Sequence, residues 1–427
     1  MSSLSSSVEQ IEVSRHLRRN YVAHSLEGGF YIGGVAFVHP QTLLPLMIQR
    51  LGGPDWVIAS APILLMVGFF VPSLFITHRL ERLKFLKRFV MSIGALQRVP
   101  YLLVGAALLT AAEPGALALT LVVLAPLASG LAGGVSVTAW REYVAKSIPP
   151  EKRASLWAVR FVLGGIIGVG AGQIVSQVLG SHQEMRAYGI LHLVVFALMA
   201  ISYGFFGFTR EPNLDSARAH APKSWWEYAR ATRGLVRRDP KLWPYLGSRA
   251  LFSGLYVMLP FLSLHALEVL HAPDAYLGRL LMLQMAGSLG GNLLGGFFGD
   301  RHGGRCVVLL SQAGSALVAL GAMVLHTELG FEALFFGLGL AVGCGGVGVP
   351  TLDMEMSDFD QRMSYQTLIG LSHLVGMLGA VFIATVARRF STQFETLACI
   401  AAAMMIGSLS LLSRLPEPRS ARRVAHA

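Results

Sequence analysis

Long apolar runs separated by short charged connections dominate the chain, at 21–49, 56–77, 89–111, 117–139, 156–179 and 186–209, then 244–268, 276–299, 306–326, 332–352, 367–389 and 393–413. A hydrocarbon core about 30 Å thick is crossed by roughly twenty helical residues. The pattern therefore predicts an all-α integral membrane protein with twelve transmembrane helices. The widest polar interval, 210–243, divides them into a bundle over 21–209 and a second over 244–413, flanked by tails 1–20 and 414–427.

Composition supports a membrane chain: of 427 residues, 53% are hydrophobic and 14% charged, and mean hydropathy is +0.56. Met1–Gln10 is Ser-rich and polar, and the first run is too long for a signal-peptide core, so no cleavable signal is expected. Cys306, Cys344 and Cys399 lie singly in or beside apolar runs, which is the pattern of packing residues. It supports neither disulfide, metal nor cofactor.

The formal charge of +11 would suit a nucleic-acid partner, but its distribution excludes one. With the N-terminus inside, the cytoplasmic loops hold all but eight of the 35 Lys and Arg. Arg50, Arg186, Arg388 and Arg389 fall outside, and Arg98, Arg160, Arg249 and Arg279 within spans. This positive-inside bias predicts both termini cytoplasmic, and short outer loops without any N-x-S/T sequon point to a plasma (bacterial inner) membrane. Arg388-Arg389 run against it. The interval 210–243 carries eight basic residues, and Ser224-Trp-Trp-Glu227 reads as a capping box. Trp225, Tyr228, Thr232 and Val236 then share a face opposite Arg230, Arg233 and Arg237, predicting a linker helix in the cytoplasmic headgroup region.

The halves echo each other. Gly133-Gly-Val-Ser-Val-Thr-Ala-Trp140 corresponds to Gly345-Gly-Val-Gly-Val-Pro-Thr-Leu352 at a separation of 212, and Glu151-Lys-Arg153 to Asp360-Gln-Arg362 at 209. Pro54-Asp55 and Pro273-Asp274 repeat at 219, an offset that also sets Glu81-Arg82 opposite Asp300-Arg301. Repeats of six spans are a common transporter design, with the solute site near mid-membrane between them.

Between the eighth and ninth runs stands Gly296-Phe-Phe-Gly-Asp300-Arg301-His-Gly303-Gly304-Arg305. It resembles the loop signature G-x-x-x-D-R-x-G-x-R of the major facilitator superfamily of transporters, departing at Gly304, where the family usually has a basic residue. The resemblance implies two pseudo-symmetric six-helix bundles, a cytoplasmic loop between the second and third helix of a half, and rocking of the halves. The first-half copy, Leu80-Glu-Arg-Leu-Lys-Phe85, lacks the glycines. Proton-coupled drug exporters of the family carry an arginine in the fourth span and a Gly-Pro pair in the fifth. Neither is present here, so drug antiport is unsupported.

Glycines recur at four-residue spacing at Gly164, Gly168 and Gly172, and again at Gly287, Gly291, Gly295 and Gly299. Such stripes let helix backbones approach in lipid. In the family, the fifth and eighth helices meet, so the two stripes are expected to pack between halves. Gly343-Cys-Gly345-Gly-Val-Gly348 matches a dinucleotide fingerprint literally but lies inside an apolar span, so it is read as packing.

Ionisable groups in mid-span mark function by default, because insertion of one costs about 2.5–3.5 kcal/mol. Glu27 and Arg98 are accordingly cavity candidates, paired with each other or with substrate, and Arg160 and Arg249 are expected to snorkel. His39, beside Pro40 and Gln41, and His265 open the two halves at similar depth and could bind solute or carry protons. Glu142, Arg153, Asp353, Glu355 and Arg362, with Glu81, Arg82, Asp300, Arg301 and Arg305, are expected to close the cytoplasmic side. The reading is a monomeric secondary transporter in membrane lipid that moves a small-molecule solute by alternating access and catalyses no covalent chemistry. A transporter-like receptor or assembly subunit is the alternative.

Overall fold

The computed structural model describes residues 2–80, 85–110, 115–212, 234–235, 239–356, 362–390 and 392–418, and these are helical almost throughout. In the first half stand α1 (Ser2–Val35), α2 (Leu43–Arg50), α3 (Asp55–Ser60), α4 (Leu64–Leu80), α5 (Lys87–Thr110), α6 (Ala116–Ser147), α7 (Pro150–Ser181) and α8 (Glu184–Phe208). The second half has α9 (Leu242–Phe252), α10 (Leu259–Leu270), α11 (Tyr276–His302), α12 (Gly304–Gly321), α13 (Glu328–Met356), α14 (Arg362–Arg389) and α15 (Phe394–Ser413). Among the described residues, 11 helical stretches are long and apolar enough to cross a membrane. The expected span 276–299 is α11, whose 27 residues suffice in length but whose glycines, Arg279, Gln284 and Asn292 lower its hydropathy below theirs. Leu117, Leu317 and Phe382 are 69–72% exposed, as side chains facing lipid should be.

Some expectations meet a different outcome. Residues 2–20 of the expected tail 1–20 are helical and continuous with the first span. Glu81-Arg82, Asp360 and the linker helix expected around Trp225–Val236 fall outside the described residues. Arg362 opens α14, with its side chain also outside them.

The chain packs as two compact units whose borders differ from the sequence halves. One comprises Met1–His39, Leu64–Ala171 and Ser181–Pro222; the other comprises Pro40–Ile63, Gly172–Gly180 and Lys223–Ala427. The second unit thus includes α2, α3 and the end of α7 from the first half. A polar contact explains part of this: Thr42 donates to the Gln284 side chain of α11 at 2.7 Å.

The opening helix of each half is broken at the same place in the repeat. Between α1 and α2, 3₁₀ geometry over Ala36–Val38 leads into Pro40; between α9 and α10, it covers Ser253–Val257 and leads into Pro260. A proline lacks the N–H that would continue the ladder and its ring crowds the preceding turn, so it is tolerated in the first turn of a new helix, where Pro260 follows Leu259 at the start of α10.

Glycine contacts hold pairs of helices within each unit. In the first unit, a Cβ on Gly130 would fall 2.4 Å from the Leu65 carbonyl, and one on Gly68 2.7 Å from that of Leu127, so α4 and α6 touch by backbone. In the second unit, Gly287 and Gly291 of α11 leave 2.1 and 2.2 Å to the carbonyls of Phe336 and Leu340 on α13. From α13, Gly339 and Gly343 reciprocate against Gln284 and Ser288. The pairs are repeat equivalents, since Gly287 follows Gly68 by 219 residues and Gly339 follows Gly130 by 209.

The expected meeting of the two stripes is therefore redrawn. Gly287, Gly291 and Gly295 face α13, Gly164 lies against Ile32 of α1, and only Gly172 reaches α11, 2.5 Å from the Gly278 carbonyl. Gly168 is buried between these two on α7. The fingerprint-like Gly343-Cys344 pair is packing, with Cys344 Sγ donating to the Gly291 carbonyl at 3.3 Å.

Gly287→Ala must push a methyl into a carbonyl that cannot rotate away, so a loss of about 1–3 kcal/mol is expected. Gly290→Ala, whose Cβ would meet only the tip of Leu340 at 3.5 Å, is expected to be neutral. Thermal unfolding of both variants in detergent checks this; equal melting temperatures would remove the packing argument.

Candidate functional site

The first unit encloses a cavity of about 130 Å³ lined by Glu27, Tyr31, Phe69, Gln97, Arg98, Ser136, Trp140, Arg160, Tyr203 and Phe206 among others. Three of these are charged and all three are buried: Glu27 and Arg98 are 7% exposed and Arg160 4%.

Glu27 does not pair with Arg98. Its Oε2 accepts from Nη1 of Arg160, which also donates to the His24 carbonyl at 2.7 Å. Arg160 therefore does not snorkel, and its guanidinium lies over the Trp140 and Trp157 rings at 4.9 and 5.2 Å. Gly28 makes this possible: a Cβ there would stand 2.2 Å from the guanidinium carbon. Ser202 donates to the Glu27 carbonyl at 2.8 Å, and His24 Nδ1 stands 4.0 Å from the carboxylate, beyond hydrogen-bond reach.

Arg98 is answered differently. Nε donates to the Met199 carbonyl at 2.6 Å and Nη1 to that of Gly94, while the guanidinium stacks over Tyr203 at 4.9 Å. Carbonyls and a ring face stabilise a cation without neutralising it. Among the described residues no carboxylate bonds to it. Gln97 donates to the Tyr31 hydroxyl at 2.9 Å. Two guanidinium groups against one carboxylate leave the cavity with a formal charge of +1, surrounded by aromatic faces.

The second unit carries its own buried charges. Tyr245 donates to Asp353, whose Oδ1 lies 4.0 Å from Arg249 Nε. Arg249 is 6% exposed, so it too is held inside rather than snorkelling. Nearby, Ser248, Gln312 and Ser408 form a buried hydrogen-bond network.

Residues from the first half are tied into the second unit by polar contacts at one end of its helices. Arg50 binds Asp274 through both Nε and Nη2, at 3.2 and 2.7 Å. Arg388 Nε lies 3.5 Å from Asp55 Oδ2, which explains an arginine that ran against the charge bias. Gln41 accepts from Gln284 at 3.2 Å. His39 is half-buried at the end of the first unit's opening helix. His265 lies toward the end of α10, stacked on Phe394 at 4.1 Å.

The loop residues brace their own unit. Gly303 adopts φ 89°, a conformation that favours glycine. Gly304 leaves 2.5 Å to the Leu352 backbone nitrogen, so no basic side chain fits where the family usually has one. Its N–H donates to Glu355 at 3.0 Å. Arg305 donates to the carbonyls of Leu412 and Ser413, capping α15. Arg153 does the same for α6 through Ile148 and Ala145. Arg301 covers the Phe297 ring at 4.0 Å, and Glu142 is exposed. These groups therefore form contacts inside their units, with Asp300 partnered as well.

Sequence reading missed the Arg160–Glu27 pair and the roles of Tyr31, Gln97, Trp140 and Tyr203. The double glycine after Glu27 is the one signal that could have found the pair. It missed Thr42 and Gln284 as well, and took Asp55 and Asp274 only as repeat markers.

The sequence profile of the Major Facilitator Superfamily matches residues 96–359. No curated protein matches the chain by sequence. Solved structures that share its fold include three transporters. A single-site mutant of the nucleoside transporter NupG has a TM-score of 0.69 and 14% identity, over 93% of this chain and 100% of its own. The xylose transporter XylE from E. coli, in a partially occluded inward-open conformation, has 0.64 and 11%, over 94% and 98%. A D-xylose-proton symporter has 0.60 and 13%, over 94% and 99%. Paired helix repeats, the loop signature and the profile match converge: this chain belongs to the Major Facilitator Superfamily of membrane transporters.

Proposed function

We propose that this transporter carries a small organic anion, bound in the first unit's cavity, by alternating access. The supporting observation is Arg98, a buried cation stabilised by carbonyls and the Tyr203 ring, to which no carboxylate is bonded among the described residues. In low dielectric a lone guanidinium attracts an anion strongly, and its planar fork suits a carboxylate or phosphate. Glu27 is committed to Arg160, which leaves it unable to take that role. The aromatic lining would hold the apolar body of the solute. Both termini would be cytoplasmic, following the positive-inside bias, and the short outer loops without an N-x-S/T sequon suit a bacterial inner membrane.

Uptake into proteoliposomes from a panel of labelled carboxylates, sugars and nucleosides tests the substrate class. A carboxylate is expected to be taken up and to raise the melting temperature. Arg98→Gln is expected to abolish both effects, and uptake of a neutral sugar alone would refute the anion assignment.

Glu27→Gln leaves Arg160 buried without its counter-charge, a loss of about 3–5 kcal/mol. The double variant Glu27→Gln/Arg160→Gln is expected to recover most of that stability. Thermal unfolding read as a double-mutant cycle checks it, and additive losses would mean that the two side chains are not coupled.

Alternating access requires residues 40–63 to leave the second unit during each cycle. Thr42→Cys/Gln284→Cys, oxidised, should stop flux, and reduction should restore it; transport through the cross-linked protein would exclude this movement.

A further inference from the structure

We infer that His265, His326 and Glu395 form a binding site for a divalent transition-metal ion. One ligand atom from each lies within 4.8 Å of the other two. The residues come from α10, the connection between α12 and α13, and the first turn of α15. Their separations of 61 and 69 residues conceal the group in sequence.

An independent observation is the state of His265. Its Nε2 is buried and has no hydrogen-bond partner, a desolvation cost that a bound ligand would offset. The ring is fixed by stacking on Phe394 at 4.1 Å and 15°, with Phe331 and His326 edge-on at 5.9 Å. The other two ligands stand ready but unbonded to each other: His326 Nε2 and Glu395 Oε1 are 3.9 Å apart, too far for a hydrogen bond.

Tetrahedral coordination at 2.0–2.2 Å spaces ligand atoms roughly 3.3–3.5 Å apart. Closing from the observed spacing takes rotations of about an ångström. The His326 and Glu395 side chains, 42% and 38% exposed, have room for them. Two imidazoles and a carboxylate with a coordination position left for water is a donor set that takes zinc and its neighbours. The site opens on a cleft of about 410 Å³ that also contains Asp55 and Arg388, so a bound ion would place positive charge beside the pair holding α3.

Zn²⁺ titrated by calorimetry into the full chain in detergent, after chelator treatment, tests this, with Co²⁺ absorption in the visible reporting geometry. One ion per chain and a tetrahedral Co²⁺ spectrum are expected. His326→Ala and Glu395→Gln, both at exposed side chains, should each weaken binding roughly tenfold or more, as should His265→Ala, whereas His302→Ala should leave it unchanged. Absence of saturable binding, or equal affinity in His326→Ala, overturns the site.

Discussion

A charge removed from water must find its counterpart inside the protein, and this constraint organises the first unit. Arg160 is buried, and it is met by Glu27 and the His24 carbonyl of α1 and by two indole faces, Trp140 of α6 and Trp157 of its own helix. That arrangement needs the backbone of α1 to come within contact of the guanidinium, which only Gly28 permits. One missing side chain thus fixes the approach of α7 to α1, and with it the shape of the cavity. The neighbouring Gly29 and Gly33 are occupied in the same way by Leu163 and Ile167.

The same logic separates Arg98 from Arg160. Both are buried, yet one is neutralised and the other only solvated by dipoles. Neutralised pairs are structural by default, since a missing partner leaves a stranded charge. A cation solvated by carbonyls retains a field that a mobile anion can enter. The distinction assigns different roles to two residues that composition cannot tell apart.

The helical architecture was legible because hydrophobic length is a direct record of bilayer thickness, and the glycine stripes because close approach in lipid has a simple sequence requirement. Partner choice was not. Glu27 could have met Arg98, Arg160 or solute, and which of them it meets depends on helix rotation by a fraction of a turn. The glycines named a face without naming its partner, so the stripe on α11 was assigned to α7 although its backbone contacts lie on α13. Gly304 is the converse case. Its departure from the family signature had no reason visible in the sequence, and the structure supplies one: the backbone of α13 passes too close for a basic side chain.

Contacts of contrasting strength divide the labour in the second unit. Arg249, Asp353 and Tyr245 are buried together, where removing one partner is strongly destabilising. Arg50–Asp274 is nearly half exposed on the arginine side, and an exposed pair is worth only about 0–1 kcal/mol. Arg388–Asp55 is comparably open. These exposed pairs add little to the attachment of residues 40–63, which rests on the fully buried Leu43, Leu44, Met47 and Ile48 and on the buried Thr42–Gln284 bond. The break at Ala36–Val38 lies immediately before this segment, where Pro40 cannot continue the helical hydrogen-bond ladder.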